Sequence, residues 1–356
     1  MRILHVITSL LTGGAEKLVV DLTFRLREMG HEVDVAVFNG EDAPFLIELQ
    51  SHSEVTVYVL GHSFYDIRYI WKLRKIMRSY DIIHTHNSSP QLYAAIANIG
   101  LHKRLVTTEH NTSNRKRNRF FLRMTDKWMY RRYEQIICIS DKAAENLKAY
   151  LKRDDRIQTI YNGVDVEHIH QAQPISEMKS GRFVSLMVAA YRKQKDHETV
   201  IRVAKRLPKE QFEFWFAGTG ERMDEIKQMV KEEGLEDQIK ILGNRTDVPQ
   251  LLQTADVILM STHYEGLSLS NIEGMSVGKP FVASDVDGVH EITSGYGILF
   301  PHEDDRALAD ILTRLASDHK YYQEVANKCY QRAKEYDLGK MVGMYEEVYK
   351  SLNNIR

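Results

Sequence analysis

Residues 257–275 read VILMSTHYEGLSLSNIEGM and contain the most informative junction in the chain. The apolar run Val257–Met260 predicts a buried strand, Gly266 interrupts the extended segment, and Ser268 or Ser270 is suited to cap a following helix. Backbone N–H groups at such a helix start favour an anion, because the positive end of the helix dipole lies there. The stretch therefore predicts a strand–turn–helix unit with an anion-binding turn.

Two carboxylates bracket this junction, Glu265 before the predicted helix and Glu273 inside it. Paired glutamates are common on solvated helix faces, but these two flank a glycine turn among small and apolar residues. A glycosidase pair is disfavoured, because eight residues of helix rise about 12 Å and glycosidase carboxyls lie about 5–9.5 Å apart. The spacing suits two hydroxyl-bearing parts of one ligand, such as a sugar and a ribose.

Short apolar runs alternate with amphipathic helical segments along the chain. Six early runs predict buried strands: Ile3–Ile7, Glu32–Phe38, Val55–Leu60, Asp81–His86, Arg104–Thr108 and Gln135–Ile139. Six later runs predict a second set: Phe183–Ala189, Glu213–Ala217, Gln238–Leu242, Val257–Met260, Pro280–Ala283 and Gly297–Leu299. Alternation of strands with helices predicts parallel sheets that are covered on both faces.

A polar segment, 171–181, separates the two sets and contains Pro174 and Gly181, which predicts a linker. We therefore expect two doubly wound α/β domains, residues 1–170 and residues 182–335. The remaining segment, 336–356, carries an apolar stripe at helical spacing and predicts a C-terminal helix.

The composition is that of a globular protein with two domains. The chain has 356 residues, 43% hydrophobic and 27% charged, with 48 Lys and Arg against 49 Asp and Glu. This balance gives no overall basic field and argues against a nucleic-acid partner. Cys138 and Cys329 form no C-x-x-C pair, so a reducing cytoplasm is expected rather than a disulfide scaffold. No signal peptide or membrane span is expected, since no apolar run approaches about 20 residues.

Two glycine turns follow predicted strands. Gly13 and Gly14 let the backbone approach a ligand at a helix start, although an ordinary tight turn has the same pattern. The segment Gly218–Gly220 lacks the third glycine of the dinucleotide fingerprint, because Met223 stands at its position. Without that fingerprint, a dehydrogenase is disfavoured.

The loop after the first strand of the second domain reads YRKQKDH over residues 191–197. Its cations Arg192, Lys193 and Lys195 suit a diphosphate, and a solvated basic loop has the same composition.

Several segments occur in an order that resembles a known family. They are 13–16 (GGAE), 107–111 (TTEHN), 160–165 (IYNGVD), 195–197 (KDH), 216–220 (FAGTG), 265–273 and 278–285 (GKPFVASD). Together they resemble the retaining glycosyltransferases of the GT-B fold, family 4, over nearly the whole chain. The specific part is the E-x7-E stretch with the G-K-P-x-V-A-S-D run that follows it.

The resemblance implies two Rossmann-like, doubly wound parallel-sheet domains that face each other across a cleft, with the C-terminal helix crossing back to the first. A nucleotide-sugar would bind mainly to the second domain. Glu273 matches the family glutamate that binds the ribose, Glu265 the one that holds the donor sugar, and Lys195 the diphosphate lysine. His110 matches a histidine near the reaction centre. His110, Lys195 and Glu265 are thus the expected catalytic residues.

Backbone groups and one further arginine complete the implied donor site. Arg245 lies at the position where the main chain of family members contacts the nucleotide base. The backbone groups that would approach sugar and phosphate belong to Gly13, Gly14, Gly266, Leu267 and Ser268.

One position departs from the family pattern. An arginine often stands five residues before the lysine, and here that position is Ala190. We expect Arg192, three residues before Lys195, to take its place beside the diphosphate.

The implied reaction is transfer of a sugar from a nucleotide-diphosphate sugar, expected to be UDP-linked, to a glycan or lipid-linked acceptor. Configuration at the anomeric carbon would be retained, and the pathway would build cell-envelope or extracellular polysaccharide. No cofactor and no metal are expected. Asp285-Val286-Asp287 is a D-x-D pattern in a loop after a strand, and we do not expect it to bind a metal. His84 and His86 share one strand face without an evident third ligand, and we interpret them as cleft-lining.

A basic segment with interleaved aromatics, 115–132, has 8 cations in 18 residues. It fits either an anionic membrane surface, with aromatics at the interface, or a solvated helix with core aromatics. The expected location is the cytoplasm, with peripheral contact to the inner face of the cell membrane.

Two alternatives stay open. The first is an epimerase or phosphorylase on the same fold, and the second is a non-catalytic nucleotide-sugar-binding assembly partner. The joint presence of His110, Lys195, Glu265 and Glu273 disfavours the second.

Overall fold

The computed structural model describes residues 1–11, 13–110, 120–152, 155–265 and 269–354, and of 120–122 only the backbone. The chain divides into two compact units. The first comprises Met1–Asn162 with Gly339–Arg356, and the second comprises Gly163–Leu338.

The first unit contains a seven-stranded parallel sheet with the order β3-β2-β1-β4-β5-β6-β7. Its strands are β1 (Arg2–Ile7), β2 (Glu32–Val37), β3 (Val57–Val59), β4 (Ile82–His86), β5 (Arg104–Glu109), β6 (Gln135–Cys138) and β7 (Ile157–Thr159). The strand order reverses between β1 and β4, which makes this pair the topological switch point of the sheet.

Helices cover the first sheet, because its strands are apolar on both faces and must be buried on both. They are α1 (Gly14–Glu28), α2 (Pro44–Ser51), α3 (Arg68–Met77), α4 (Ser88–Ala97), α5 (Phe120–Tyr130), α6 (Asp141–Leu151) and the C-terminal α15 (Leu338–Asn354). From α15, Tyr345 and Tyr349 are fully buried in the first unit.

The second unit contains a six-stranded parallel sheet with the order β10-β9-β8-β11-β12-β13, and its switch point lies between β8 and β11. The strands are β8 (Phe183–Val188), β9 (Phe212–Ala217), β10 (Ile239–Gly243), β11 (Val257–Met260), β12 (Phe281–Ser284) and β13 (Ile298–Phe300). Its helices are α7 (Val166–Gln171), α8 (His197–Arg206), α9 (Met223–Glu232), α10 (Val248–Thr254), α11 (Leu269–Ser276), α12 (His290–Thr293), α13 (Asp305–Ser317) and α14 (His319–Ala333).

The boundary between the units lies at residues 162 and 163, earlier than the predicted linker 171–181. The reason is α7, which the sequence analysis assigned to the first domain. Gln253 of α10 donates from its side chain to the carbonyls of Ile169 (3.2 Å) and His170 (2.8 Å) at the end of α7. These contacts hold α7 in the second unit.

Within the described ranges, no helix combines the length and the apolar character that crossing a bilayer requires.

Candidate functional site

Lys195 and Glu265 come together at the switch point of the second sheet. Lys195 follows β8 and Glu265 follows β11, and their side chains form an ion pair. The two side chains are 14% and 8% exposed, so each charge is largely removed from water. A parallel sheet binds ligands beyond the carboxyl ends of its strands at such a point.

Two neighbours fix the orientation of the Glu265 carboxylate. Thr262 Oγ1 donates to Glu265 Oε1 at 3.0 Å, and Gln194 Nε2 donates to Oε2 at 3.1 Å. Gln194 also donates to the carbonyl of Tyr264 at 2.8 Å. With Lys195, all of these groups hold one carboxylate rotamer at the strand ends. The sequence analysis named neither Gln194 nor Thr262, because their partners are about 70 residues away or in an irregular turn.

The loop between β8 and α8 is fastened to the end of β11 by Asp196. Its carboxylate caps α8 by accepting from the N–H of Thr199 (3.0 Å) and also accepts from Ser261 Oγ (3.1 Å). His197 stacks on Tyr191 with ring centroids 4.5 Å apart, and burial lowers the pKa of His197 to about 4. The loop that carries Lys195 is therefore rigid at both ends.

The glycines of 218–220 have a packing role. A Cβ on Gly218 would lie 2.0 Å from the carbonyl oxygen of Ala189, and a Cβ on Gly220 would lie 2.5 Å from that of Tyr191. Gly218 also has φ +144°, which side chains rarely allow. This turn therefore packs against the loop that follows β8, which explains its glycines without a dinucleotide.

The second carboxylate, Glu273, lies on α11 and is half-buried. The three residues between it and Glu265 that were predicted to offer backbone donors, Gly266, Leu267 and Ser268, lie outside the described residues. Helix α11 begins directly after them, at Leu269, as the sequence predicted.

The two predicted donor arginines have different environments. Arg192 is exposed, and its guanidinium makes no ion pair among the residues with described positions. Arg245 forms a bidentate pair with Asp247, with distances of 2.8 and 2.6 Å. That hydrogen-bonded pair raises the pKa of Arg245 and lowers the pKa of Asp247.

In the first unit, Gly13 and Gly14 start helix α1. Gly13 is extended, with φ 179°, and a Cβ there would meet the Glu16 carboxylate at 2.3 Å. The carboxylate of Glu16 thus lies back over the start of α1, where the helix dipole favours negative charge. Burial raises the pKa of Glu16.

Four histidines cluster at the carboxyl ends of β1, β4 and β5. His5 Nδ1 lies 3.1 Å from His86 Nε2, and His86 Nδ1 lies 3.1 Å from His110 Nε2. His84 contacts the Tyr349 hydroxyl (2.6 Å) and Thr108 Oγ1 (2.8 Å). The pKa of every one of these imidazoles is lowered by burial, to about 3 for His5 and about 4 for His110.

This cluster corrects the interpretation of His84 and His86 as cleft-lining residues. Both are fully buried, His84 against Tyr345 and Tyr349 of α15 and His86 among the other three histidines. The interpretation that no third ligand accompanies His84 and His86 was also wrong, since the β1–β4 register places His5 directly beside His84. His5 stands within the continuous apolar run of β1, and only the pairing of nonconsecutive strands reveals its neighbours.

The first aspartate of the D-x-D pattern pairs with a histidine. Asp285 Oδ1 lies 2.6 Å from His290 Nδ1 at the start of α12, and this hydrogen bond raises the pKa of His290.

Two parallel α/β units, the second with a lysine–glutamate pair at its switch point, define a protein of the GT-B fold. The family described as Glycosyltransferase Family 4 matches residues 12–168, and the one described as Glycosyl transferases group 1 matches residues 169–336. The chain therefore belongs to the family 4 glycosyltransferases and is a transferase of sugars.

Characterised relatives and solved structures agree with this assignment. The chain is 25% identical to the N-acetyl-alpha-D-glucosaminyl L-malate synthase of Bacillus anthracis, covering 95% of this chain and 93% of that protein. It is 25% identical to the UDP-Gal:alpha-D-GlcNAc-diphosphoundecaprenol alpha-1,3-galactosyltransferase of Escherichia coli, covering 80% and 79%. Anabaena Alr3699/HepE, crystallised with UDP, shares the fold with a TM-score of 0.84, 22% identity and coverage of 99% and 100%. A glycosyltransferase from Rickettsia africae ESF-5 shares it with a TM-score of 0.85, 16% identity and coverage of 100% and 99%.

Proposed function

We propose that this protein transfers a sugar from a UDP-sugar to a lipid-linked or glycan acceptor of the cell envelope, with retention of anomeric configuration. The observation that carries the proposal is the Lys195–Glu265 pair at the switch point of the second sheet. A half-buried cation beside an oriented carboxylate suits a ligand that joins an anionic diphosphate to a hydroxyl-rich sugar.

In the proposed reaction, the bond between the anomeric carbon and the diphosphate breaks and negative charge grows on the leaving diphosphate. Lys195 stabilises that charge, assisted by Arg192 and by backbone N–H groups of Gly266, Leu267 and Ser268 at the start of α11. Glu265 orients the sugar. Because these groups provide the positive charge without a metal ion, the enzyme should remain active in the presence of a chelator.

Glu273 and Arg245 are assigned to the nucleoside end of the donor, on the family resemblance. The crystal structures of the Anabaena neighbour contain UDP and UDP-glucose, which favours uridine here. From the first unit, the proposal retains His110 for the reaction centre and Gly13 and Gly14 for the diphosphate.

The acceptor proposal rests on relatives. The Escherichia coli relative acts on a diphosphoundecaprenol acceptor, and a Campylobacter jejuni relative, 24% identical, acts on an undecaprenol-linked glycan. A polyprenyl-diphosphate-linked sugar is therefore the first acceptor class to test.

The decisive experiment measures donor binding first and transfer second. Thermal shift with UDP, UDP-glucose, UDP-galactose and UDP-N-acetylglucosamine should raise the Tm, with GDP as the control nucleotide. Labelled donor is then incubated with polyprenyl-diphosphate-linked N-acetylglucosamine, and NMR of the product reports the anomeric configuration. An inverted product would contradict retention, and no Tm change with any UDP ligand would contradict the donor assignment.

The alternatives give different results in the same assay. An epimerase converts labelled donor without any acceptor, and a phosphorylase needs inorganic phosphate. A non-catalytic binder shows the thermal shift and no product with any acceptor class.

Peripheral membrane contact is proposed for the first unit. The basic segment 115–132 lies partly outside the described residues, and its Trp128 packs against the core beneath Arg132. Exposed apolar side chains at α3 support membrane contact more strongly than that segment does. Tyr65, Ile67 and Trp71 are 73–74% exposed, and the cations Arg68 and Lys72 lie next to them in the sequence. Helix α4 packs against both α3 and α5, so these basic and aromatic residues occupy one face of the sheet.

Such a surface suits anionic headgroups with aromatic rings at the interface. Sedimentation with anionic vesicles should recover more protein than with neutral vesicles, and Trp71→Ala should reduce that difference. Equal recovery from both vesicle types would contradict membrane contact.

A further inference from the structure

Three side chains converge at the carboxyl edge of the second sheet, beside the loop that carries Glu265. They are His263, which follows β11, and His302 and Glu303, which follow β13. The side chains are 30%, 40% and 55% exposed, so an ion in solution can reach them. No residue of this group has a part in the proposed sugar transfer.

The distances within the group match those of a metal site. His263 Nδ1 lies 2.8 Å from His302 Nε2 and 3.4 Å from Glu303 Oε1, and the last two atoms are 4.0 Å apart. The equidistant point in the plane of these three atoms lies about 2.0 Å from each, close to the usual Zn–N and Zn–O bond lengths of about 2.0–2.2 Å.

Hydrogen bonding alone does not account for this arrangement. One His–His hydrogen bond satisfies the 2.8 Å contact, but both distances to the Glu303 carboxylate exceed the ordinary range of about 2.7–3.2 Å. Glu303 also has φ +62°, a conformation uncommon for a residue with a side chain. The carboxylate thus lies near both imidazoles without a hydrogen bond to either.

The buried group His5, His84 and His86 is a weaker candidate for a metal. Both nitrogens of His84 contact hydroxyl groups, those of Tyr349 and Thr108. Among the residues with described positions no carboxylate contacts these buried rings, so the charge of a cation there would be uncompensated.

We propose that His263, His302 and Glu303 form a binding site for one divalent transition-metal ion, with Zn²⁺ the best match and Co²⁺ or Ni²⁺ as substitutes. Two imidazoles and one carboxylate are borderline ligands that suit these ions rather than Mg²⁺ or Ca²⁺. Three protein ligands leave positions open for water. A bound ion ties the loop after β11 to the loop after β13, and so stabilises the segment that presents Glu265.

The test uses full-length, tag-free protein from which metals have been removed with a chelator. Titration calorimetry with Zn²⁺ should show one equivalent bound, and Co²⁺ should give the visible absorption of an imidazole-ligated ion. His263→Gln, His302→Gln and Glu303→Gln should each weaken Zn²⁺ binding by at least about tenfold. His319→Gln, which removes an exposed histidine outside the group, is the matched control and should bind like the parent protein.

Thermal melting provides a second readout that needs no sugar donor. Zn²⁺ should raise the Tm of the parent protein and of His319→Gln, but not of Glu303→Gln. Circular dichroism without metal verifies that each variant is folded. The proposal is overturned if the parent protein binds no Zn²⁺, if Mg²⁺ binds equally well, or if binding persists in all three variants and is lost in His5→Gln.

Discussion

At the scale of single residues, charge neutralisation makes Lys195 and Glu265 dependent on each other. Both side chains are largely shielded from solvent, and removal of one partner leaves a charge without compensation. Arg192 is exposed, and Lys193 beside it is exposed as well. The three cations of this loop therefore differ in environment although the sequence presents them alike.

Lys195→Ala should lower kcat about 10²–10³-fold, the usual cost of losing one group that stabilises developing negative charge. Arg192→Ala should have a smaller effect, and Lys193→Ala should behave like the parent enzyme. Steady-state kinetics with a UDP-sugar measure all three. Unchanged turnover in Arg192→Ala would remove that residue from the diphosphate site.

Glu303 combines a strained backbone with the proposed metal site. Its φ of +62° costs an L-residue about 1–2 kcal/mol, whereas glycine adopts it freely. Glu303→Gly should therefore raise the free energy of unfolding of metal-free protein by about 0.5–1 kcal/mol. Urea titration checks this, with Glu303→Gln as the control that keeps the side-chain length. A lower stability for the glycine variant would show that the backbone is unstrained.

At the scale of secondary-structure elements, close packing of α11 on the sheet positions Glu273. A Cβ on Gly274 would lie 2.7 Å from the ring of Phe281 on β12 and 3.0 Å from Ile258 on β11. Glycine at this position allows the helix to approach the strands, and Glu273 is its direct neighbour. The helix contact thus explains why a poor helix former stands inside α11.

Gly274→Ala should lower the free energy of unfolding by about 1–3 kcal/mol, because the added methyl group overpacks the helix–sheet contact. Gly343 in α15 is the matched control, since a Cβ there meets nothing within 4 Å. Gly343→Ala should stabilise by about 0.5–1 kcal/mol through helix propensity alone. Urea titrations of both variants test the sign, and stabilisation by Gly274→Ala would contradict the packing argument.

Prediction from sequence was more complete for the strands than for the helices. All twelve predicted strands are present, and the three-residue strand β7 (Ile157–Thr159) was not predicted. Helices α2, α7, α12 and α14 were not predicted, and the six residues of α7 (Val166–Gln171) are too few to display a helical period.

At the scale of the whole molecule, the C-terminal helix closes the core of the first unit over its histidines. Tyr345 and Tyr349 contact Thr108 and His84, and His31 pairs with Glu346 of the same helix at 2.8 Å. These contacts join residues more than 230 positions apart. The chain must therefore be complete before the first unit can bury its histidines.

Buried neutral histidines make stability depend on pH. Unfolded imidazoles take up protons below about pH 6.5, whereas burial lowers the pKa of His5 to about 3 and that of His110 to about 4. Between about pH 6.5 and 4 the unfolded chain therefore binds more protons, and the free energy of unfolding falls as pH falls. The slope of this free energy against pH reports the difference in bound protons between the unfolded and folded states. His5→Gln should reduce that difference by about one proton, as measured by urea titrations between about pH 5 and 7.

The control for that experiment is His319→Gln, which removes an exposed histidine outside the buried cluster. The slope is the readout, because loss of the His5–His86 contact lowers stability at every pH. A His5→Gln slope equal to that of the parent protein would show that His5 does not stay neutral in the folded state.

The sequence by itself determined the two parallel α/β halves, because apolar periodicity is a local property, and its short motifs singled out Lys195, Glu265 and Glu273 as candidates. The tertiary structure decided which distant groups meet. The order of the strands places His5 beside His84 and lets Gln194 donate to Glu265. It also places His263 close to His302 and Glu303. Such contacts depend on crossover connections between nonconsecutive strands, and local sequence patterns contain no information about that pairing.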